Sequence, residues 1–422
     1  MHLDDISRGA LRVISELEKA GYEAYIVGGG VRDLLLDGHP KDFDIATDAT
    51  PEQTKKVFRN ARIVGKRFRI VHVRMGREVL EVTTFRGSHN ATDSRHAATN
   101  QQGRLVRDNV YGDLKSDALR RDFTMNALYY SPNREEVTDF TDGLADVDAH
   151  LVRMIGDPAT RYQEDPVRML RAARLAAKLD FDIETKTAAP ITELAHLLAD
   201  IPPARLFDES LKLLMGGYAE ACYQELRHRH LFEQLFPATQ EVLDTDAPGQ
   251  ADKLITLAAA NTDRRIRNDQ RVTPAFIFAV ILWPVVQRQT QQLIDDGLSP
   301  IPAIHQAAQW VLSRQCQRVA IPKRFTMTIR DIWELQFRLR RRNGLQAFRA
   351  IEHPKFRAAY DFLLLREESG ESLDGLGVWW TTFQSAEEAE RKEMVSKLSG
   401  SKGGAKNRSR RRPKKKSPPT SH

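Results

Sequence analysis

A chain of 422 residues is about three times the length of a typical single domain, so two to four structural units are expected. Hydrophobic residues make up 41% of it and charged residues 29%, which excludes intrinsic disorder for most of the chain. The net charge of +7 is unevenly placed: residues 402–422 carry nine Lys and Arg residues and no acid, and residues 1–401 carry 55 bases against 57 acids. A nearly neutral body with a basic arm suggests a polyanionic partner.

Neither the N-terminus nor any apolar run predicts export or membrane insertion. Acids stand at positions 4 and 5, where a secretory signal would carry basic residues. The longest apolar run, 275–283, stops at Pro284 and is far shorter than the roughly 20 residues that span a bilayer, so it predicts a buried helix. We therefore expect a cytoplasmic protein without a membrane segment.

The first 140 residues predict a mixed sheet flanked by helices. Apolar residues at helical spacing predict a helix over 6–20. The apolar run 24–27 predicts a strand, which three glycines separate from a helix over 31–36. Further β-rich runs are 63–64, 70–73 and 79–85. The expected order is strand, glycine turn, helix, within a sheet region spanning 22–140.

The composition changes at about Asp165, where β-branched runs become scarce and Leu, Ala, Arg, Glu and Lys dominate. Helical stripes are predicted near 169–179, 191–199, 205–215, 251–260, 303–319 and 326–342. The predicted fold class is therefore α+β, with an all-helical remainder. Residues 396–422 are rich in Gly, Ser, Lys, Arg and Pro without apolar periodicity, which predicts a disordered basic tail.

The glycine turn is the first candidate binding site. Gly28 and Gly29 begin the run Gly-Gly-Gly-Val-Arg-Asp, in which Arg32 occupies the first helical turn. A glycine-rich turn before a helix exposes backbone N–H groups to an anion, and Arg32 adds a cation, so we expect these residues to hold a triphosphate. The spacing matches neither the dinucleotide-binding Gly-x-Gly-x-x-Gly pattern nor the P-loop.

Two acids follow this turn, Asp42 and Asp44, on either side of Phe43. In a strand, residues i and i+2 point to the same face, so the two carboxylates would lie together with Phe43 buried opposite. Their repulsion favours a dication, and oxygen ligands suit Mg²⁺, which takes further ligands from substrate phosphates. Two such ions can activate a hydroxyl and stabilise a leaving pyrophosphate. An isolated Asp-x-Asp more often forms an exposed acidic turn, but the neighbouring glycine turn reverses that preference.

A third catalytic carboxylate has two candidates. Glu81 is a charge within an otherwise apolar strand run, which is costly unless its side chain faces solvent or an ion. Asp122 follows Arg120 and Arg121, two cations suited to phosphate. The sequence does not rank the two acids.

Asp165 and Arg168 form a second candidate binding site. Pro166 fits the first turn of a helix with Asp165 near its N-cap, which places Asp165 and Arg168 three apart on one face. An acceptor beside a fork-shaped donor can bind the edge of a nucleobase. The alternative is an ion pair between them that closes the start of the helix.

Four of these segments together resemble the class II nucleotidyltransferases of the polymerase beta superfamily, which comprise tRNA CCA-adding enzymes and bacterial poly(A) polymerases. They lie at 27–33, 42–44, 120–124 and 164–168, in the family's order. The resemblance implies template-independent addition of nucleotides to RNA 3′ ends. It also implies four parts: a nucleotidyltransferase head over 1–150, a helical neck over 151–215 that binds the base, a helical RNA-binding body over 216–395 and the basic tail over 396–422.

The resemblance assigns roles to individual residues. It makes Asp122 the family's third acid, while Glu81 stays a candidate from the strand pattern. The expected catalytic residues are Asp42, Asp44, Asp122 and Glu81, with Asp42 and Asp44 as metal ligands, and the expected nucleotide-binding residues are Gly28, Gly29, Arg32, Arg121, Asp165 and Arg168.

Three features favour the poly(A) polymerase branch. Residues 63–73 resemble its doubly basic signature, although Arg69 stands where a less basic residue is expected. Residues 320–325 and 331–360 resemble its C-terminal body, and the basic tail is typical of it. Diffuse phosphate contacts, whose affinity falls with salt, suit an enzyme of generic single-stranded RNA. The expected RNA contacts are Lys66, Arg67, Arg69, Lys323 and Arg324.

The sequence thus predicts a polynucleotide adenylyltransferase that uses ATP and Mg²⁺ to add AMP to RNA 3′-OH ends, releasing pyrophosphate and promoting RNA decay. We expect a monomer whose partners are RNA, ATP and RNA-decay proteins. One alternative is a CCA-adding enzyme, which would use CTP and stop after a trinucleotide. Another is a non-catalytic RNA-binding adaptor, against which the two neighbouring acids argue, because such a scaffold has no reason to keep them together.

Overall fold

The computed structural model describes residues 2–40, 42–65, 69–87, 97–99, 105–108 and 110–400. These residues divide into two compact units. The first unit comprises the described residues up to Thr245 with Ala258–Pro274 and Ser313–Ile321. The second unit comprises Asp246–Leu257, Ala275–Leu312 and the described residues from Pro322 onward.

The strands all lie in the first unit. They are β1 (Ala24–Val27), β2 (Asp44–Thr47), β3 (Arg62–Val64), β4 (Ile70–Met75), β5 (Glu78–Thr84), β6 (Ala97–Thr99), β7 (Leu105–Asp108), β8 (Leu128–Ser131), β9 (Glu136–Asp139), β10 (Leu151–Val152) and β11 (Asp182–Ile183). Seven of them form one sheet in the order β3-β4-β5-β2-β1-β8-β9. Only β2 and β5 are parallel neighbours in it. The mixed sheet predicted from the sequence is confirmed.

The helices of the first half are α1 (Arg8–Lys19), α2 (Gly29–Leu35), α3 (Pro51–Val57), α4 (Leu114–Arg120), α5 (Gly143–Asp148), α6 (Pro158–Glu164), α7 (Val167–Leu179), α8 (Thr185–Ala188), α9 (Ile191–Leu194), α10 (Pro203–Leu214) and α11 (Ala219–His228). Those that follow are α12 (Phe232–Leu235), α13 (Pro237–Leu243), α14 (Gln250–Arg267), α15 (Pro274–Asp295), α16 (Pro300–Arg318), α17 (Lys323–Leu339), α18 (Leu345–Ile351), α19 (Phe356–Glu368), α20 (Leu376–Ser385) and α21 (Glu388–Gly400). The predicted helical remainder is confirmed.

Helix α1 shows how the local sequence defines an element and its packing. The Ser7 side chain caps it by accepting a hydrogen bond from the Ala10 backbone N–H. Its buried residues recur three and four positions apart, as Ala10, Val13 and Leu17 do, so one face packs on the sheet. Gly21, at φ +87°, lets the chain leave the helix in the left-handed region.

Two predicted boundaries differ from the structure. The apolar run before Pro284 forms a buried helix as predicted, but α15 continues through the proline to Asp295. Residues 283–286 are all buried, and their packing offsets the one backbone hydrogen bond that proline cannot make. At the other end, α21 extends to Gly400, five residues into the range predicted to be disordered, and the remainder of that range lies outside the described residues.

No helix in the described ranges combines the length and hydrophobicity that a membrane crossing requires. The predicted head, 1–150, and neck, 151–215, both fall within the first unit, and their boundaries stay predictions.

Candidate functional site

The glycine turn lies between β1 and α2 and contacts groups from two distant segments. Gly28 adopts φ +80°, a conformation that favours glycine. A Cβ atom added to Gly28 would lie 4.0 Å from the Asp44 Oδ2 atom and 3.7 Å from a terminal nitrogen of Arg121. The absence of a side chain at Gly28 therefore keeps open the space between an acid and a guanidinium.

Asp42 and Asp44 lie against this turn, and the residue between them is buried. Phe43 is only 4% exposed and packs at Gly30, where an added Cβ would be 3.4 Å from its ring. Asp44 is the first residue of β2 and pairs with Val27 of β1. Asp42 lies two residues before Asp44, outside the strand. Both acids are exposed while Phe43 anchors the segment in the core, which is the arrangement expected from the sequence.

Glu81 completes a group that we call the sheet-end acids: Asp42, Asp44 and Glu81. Glu81 pairs in register with Asp44 across the parallel strands β2 and β5, and its side chain is exposed. On its other side, Glu81 Oε1 lies 3.4 Å from His72 Nε2. Removal of the Asp44 carboxylate from water raises its pKa, and the negative charges of Glu81 and Asp42 raise it further. The positive charge of Arg121 acts in the opposite direction.

The sheet-end acids fit a cation only when a substrate supplies more ligands. Within the described ranges, no three His, Cys, Asp or Glu side chains are grouped closely enough to hold a metal ion. Burial and the charges of Glu81 and Asp42 raise the pKa of Asp44 more than Arg121 lowers it, so a bound cation would favour the ionised carboxylate. Two carboxylates with phosphate oxygens and water form a donor set that suits Mg²⁺.

Arg121 is fixed beside the turn by a buried network. Its Nε donates to the Tyr129 hydroxyl at 2.9 Å and a terminal nitrogen donates to Asp117 at 3.1 Å. The Tyr129 hydroxyl in turn donates to Asp117 at 2.5 Å. Burial raises the pKa of Tyr129, so the hydroxyl stays protonated and keeps donating. Asp117 and Tyr129 could not be selected from the sequence, because their role depends on contacts between α4 and β8.

Arg32 lies beneath the turn and is only 3% exposed. One of its terminal nitrogens donates to the Asn126 side chain at 2.6 Å, and its Nε donates to Asp33 at 2.9 Å. In this structure Arg32 thus braces the turn, and its contact with a triphosphate stays a prediction. A terminal nitrogen of Arg121 lies closer to the open space at Gly28, 3.7 Å from the position of an added Cβ.

Asp122 faces the neck instead of the sheet-end acids. Its Oδ2 lies 2.5 Å from a terminal nitrogen of Arg171 on α7, and its Oδ1 accepts the Phe123 backbone N–H at 2.9 Å. Burial disfavours the ionised carboxylate, but the charge of Arg171, the hydrogen bond from the Phe123 N–H and the nearby charges of Arg168 and Arg121 together outweigh it and hold the pKa of Asp122 below its usual range. Of the two candidates for a third acid, the geometry places Glu81 beside Asp44 and gives Asp122 a different partner.

Asp165 and Arg168 each pair with other residues in the neck. Asp165 Oδ2 accepts from Arg205 at 2.7 Å. Arg168 donates to Glu164 at 2.9 Å and to the Arg161 carbonyl oxygen at 2.7 Å. The alternative of an ion pair between Asp165 and Arg168 is therefore wrong. Helix α7 begins at Val167, whose N–H donates to Asp165 Oδ1 at 3.3 Å, so Asp165 still satisfies the helix start.

Four arginines form a group around the end of α4: Arg86, Arg120, Arg161 and Arg168. The sequence prediction gave Arg168 a nucleotide-binding role and named Arg120 as suited to phosphate, but it assigned no role to Arg86 and Arg161. Burial and the charges of the other three lower the pKa of Arg120 to about 10. Arg161 donates to the carbonyl oxygens of Arg120 and Arg121, both at 2.7 Å, which connects the neck to the end of α4. Buried like charges at this density favour an anionic ligand. In the sequence, the signal for this group was that Arg161 and Arg168 are seven residues apart, a spacing that places two residues on one face of a helical segment.

The predicted RNA contacts lie in several places. Arg69 pairs with Glu52 at 2.5 Å. Lys66 and Arg67 lie outside the described residues. Lys323 and Arg324 are exposed in the first turn of α17, in the second unit.

The chain is similar to known proteins in its domains, its sequence and its fold. Three family models match the chain: the Poly A polymerase head domain at residues 24–153, the probable RNA and SrmB-binding site of polymerase A at 180–243, and the polymerase A arginine-rich C-terminus at 296–416. A similar relative, named Poly(A) polymerase I, from Salmonella typhimurium, is 49% identical over 98% of this chain and 90% of its own length.

The CCA-adding enzymes resemble a smaller part of the sequence. The one from Lactobacillus helveticus is 37% identical over 57% of this chain and 59% of its own length. The crystal structure of the Bacillus stearothermophilus CCA-adding enzyme in complex with CTP superimposes with a TM-score of 0.58 at 25% identity, covering 93% of this chain and 82% of that one.

Proposed function

Because the chain belongs to the poly(A) polymerase I family, we propose that it transfers AMP from ATP to RNA 3′-OH ends without a template and releases pyrophosphate. The near-complete coverage of the poly(A) polymerase I relatives carries this proposal. The sequence match to a CCA-adding enzyme covers little more than half of the chain, at lower identity than the poly(A) polymerase I relatives. The site supports this proposal, because a glycine turn, two acids and a guanidinium held by a buried network lie together in the first unit.

The residues around the glycine turn divide the work of the transfer. Gly28 leaves room for the phosphates between Asp44 and Arg121. Arg121, oriented by Asp117 and Tyr129, opposes the negative charge that accumulates as pyrophosphate leaves. Since the network is buried and already formed, its dipoles need no reorganisation during the reaction.

Asp42 and Asp44 would hold a divalent cation, which we propose to be Mg²⁺, together with the phosphates of ATP. Such an ion supplies charge stabilisation at the phosphates and lowers the pKa of the attacking hydroxyl. Asp44 must be ionised to bind the cation. Because its pKa is raised, protonation of this carboxylate should lower the rate of transfer as the pH falls. Phe43 fixes both carboxylates by anchoring the segment between them.

We assign the choice of base to Asp165 and Arg168 in the neck. Their partners, Arg205 and Glu164, hold both side chains in place before a nucleotide arrives. A preorganised acceptor and donor match the amino group and the ring nitrogen of adenine, and they reject uracil and guanine, whose hydrogen-bonding edges have the opposite polarity. Contacts with RNA-decay proteins, a cytoplasmic location and a monomeric state belong to the same proposal.

Extension of a generic RNA with each NTP separately tests the proposed function. With Mg²⁺ and ATP we expect long homopolymeric tails on a denaturing gel, and with the other NTPs little extension. Extension by CTP that halts after a short addition would indicate a CCA-adding enzyme. RNA binding without turnover of any NTP would indicate an adaptor.

Substitution of the acids connects this activity to the site. Asp42→Ala and Asp44→Ala should abolish extension, whereas Asp148→Ala, which changes an exposed acid at the end of α5, should leave it unchanged. Circular dichroism and the melting temperature check that the variants fold. Tailing activity retained in a folded Asp44→Ala variant would refute the metal assignment.

A further inference from the structure

The second unit contains a cavity that the proposed transfer does not use. It has a volume of about 660 Å³, within the range of roughly 300–1,000 Å³ that small-molecule sites occupy. Its wall comes from α15, α16, α17 and α19 and the turn that follows α19. All of these lining residues belong to one unit, so the cavity is a property of that unit.

Its floor is a rigid polar network built around a buried arginine. Arg366 is only 2% exposed and donates to both carboxylate oxygens of Glu371, at 2.8 and 2.5 Å. A further terminal nitrogen of Arg366 donates to Gln336 at 2.9 Å, and Gln287 donates to Glu371 at 3.1 Å. The guanidinium also lies 4.6 Å from the ring centroid of Trp283. A network satisfied in this way is ordered before any ligand binds, which lowers the entropic cost of binding.

Positive charge dominates the walls above this floor. Arg288, Arg340 and Arg341 line the cavity and are exposed, while the lining acid Glu371 is already neutralised by Arg366. The charge of Arg340 also acts on the buried Arg366 and lowers its pKa, after the larger effect of burial. An anion between these arginines would relieve their mutual repulsion, and guanidinium groups bind phosphate oxygens in pairs.

Apolar and amide groups line the same cavity. Phe337, Ile294 and Ile301 supply apolar surface, and the Gln291 side chain supplies an exposed amide. Two wall residues also carry buried polar atoms without a hydrogen-bond partner among the described residues, Trp283 Nε1 and Thr290 Oγ1. A buried polar atom without a partner is unfavourable, so a ligand or a water that supplied a partner would stabilise the site.

From these surroundings, we propose that the cavity binds a nucleoside 5′-phosphate, either as a free nucleotide or as one unit of an RNA strand. The arginines would take the phosphate, the apolar wall the planar base, and the amide its polar edge. The chain's own basic tail cannot be the occupant, because its charge has the same sign as the walls. None of the lining residues belongs to the glycine turn or the neck, so the proposal adds a binding site to those of the proposed function, on which it does not depend.

Photo-crosslinking locates the ligand directly. The full-length protein is irradiated with 8-azidoadenosine 5′-monophosphate, or with a 5′-phosphorylated oligo(A) carrying one 8-azidoadenosine, and the adducts are mapped by peptide mass spectrometry. We expect saturable adducts in peptides from 283–301 or 336–341. Labelling by the mononucleotide alone identifies a free nucleotide as the ligand, and labelling by the oligonucleotide alone identifies RNA. Adducts confined to the first unit, or labelling that does not saturate, would overturn the proposal.

A charge reversal at the rim provides the matched variant. Arg340→Glu should reduce the saturable labelling at least tenfold, and Arg340→Gln should reduce it less. Arg357→Glu reverses an exposed charge in the same unit outside the cavity and should leave labelling unchanged. Because Arg340 is exposed, we expect both variants to have the same melting temperature as the wild-type protein. Equal labelling of Arg340→Glu and wild type would contradict the assignment, and a partial loss in Arg340→Gln guards against misfolding of the reversed variant.

Discussion

The end of the sheet and the neck both hold acids, but in opposite electrostatic surroundings. At the end of the sheet, Asp44 lies among other acids and its pKa is raised. Asp122, which faces the neck, is paired with Arg171 and its pKa is lowered, and Asp165 of the neck is paired with Arg205. The difference teaches that an acid which the fold neutralises supports structure, whereas acids left with like charges await a cation from the substrate complex.

The largest expected effect concerns turnover. Asp44→Asn should reduce the rate of AMP transfer by at least about 10³-fold. It removes a ligand of the divalent cation, whose stabilisation of charge in the transition state is worth several kcal/mol. Asp122→Asn should reduce turnover per folded molecule by no more than about tenfold, because it acts through the pairing with Arg171. Steady-state rates per folded molecule, with ATP and RNA in excess, measure both. Equal losses in the two variants would remove the distinction between the regions.

The same two substitutions should change stability in opposite directions. Asp122→Asn should lower the free energy of unfolding by about 2 kcal/mol through the loss of a charged hydrogen bond. Asp44→Asn should raise it at neutral pH, because the folded state no longer holds a carboxylate among like charges. Without metal, Asp44 favours the folded state as the pH falls through its raised pKa, and the contribution of Asp122 is lost as the pH falls through its lowered one. Urea unfolding across pH, without divalent ions, provides the measurement, and a destabilised Asp44→Asn would contradict this account.

The buried network offers a smaller effect. Tyr129→Phe removes the hydroxyl between Arg121 and Asp117 and should reduce kcat by about tenfold, equivalent to about 1.4 kcal/mol, while the KM for ATP changes little. Tyr130→Phe, the neighbouring residue of β8, serves as the control and should keep wild-type kcat. A KM effect alone would show that Arg121 contributes to ground-state binding and not to the transition state.

The smallest expected effect is a shift in pH dependence. Glu81→Gln removes a negative charge beside Asp44, so the pKa of Asp44 should fall and the acid limb of kcat/KM should move to lower pH. The same substitution at a distant position, Glu136→Gln on the edge strand β9, serves as the control and should leave the acid limb in place. An acid limb that does not move in Glu81→Gln would show that Asp44 does not control it.

The sequence contained most of the fold because local patterns determine it. The apolar runs defined β1 and β5, the three glycines defined the turn before α2, and the alternation around Phe43 placed two acids on one side. These features depend on neighbours in the chain, so they could be predicted without knowing the tertiary structure.

The partners of the site residues could not be predicted in the same way. Nothing near Asp122 indicates Arg171, and nothing near Arg121 indicates Tyr129, because those contacts form only when helices and strands pack. The choice between Glu81 and Asp122 likewise required the register of β2 and β5. Which acid is neutralised is a tertiary property, and it is the property that separates structure from chemistry here.

Binding of Mn²⁺, a paramagnetic substitute for Mg²⁺, tests the central claim most directly. Electron paramagnetic resonance would count the ions bound to the wild type, Asp44→Asn and Asp122→Asn in the presence of a non-hydrolysable ATP analogue. We predict that Asp44→Asn weakens Mn²⁺ binding at least tenfold and that Asp122→Asn binds as the wild type does. Unchanged binding in Asp44→Asn, with the loss in Asp122→Asn instead, would contradict the account.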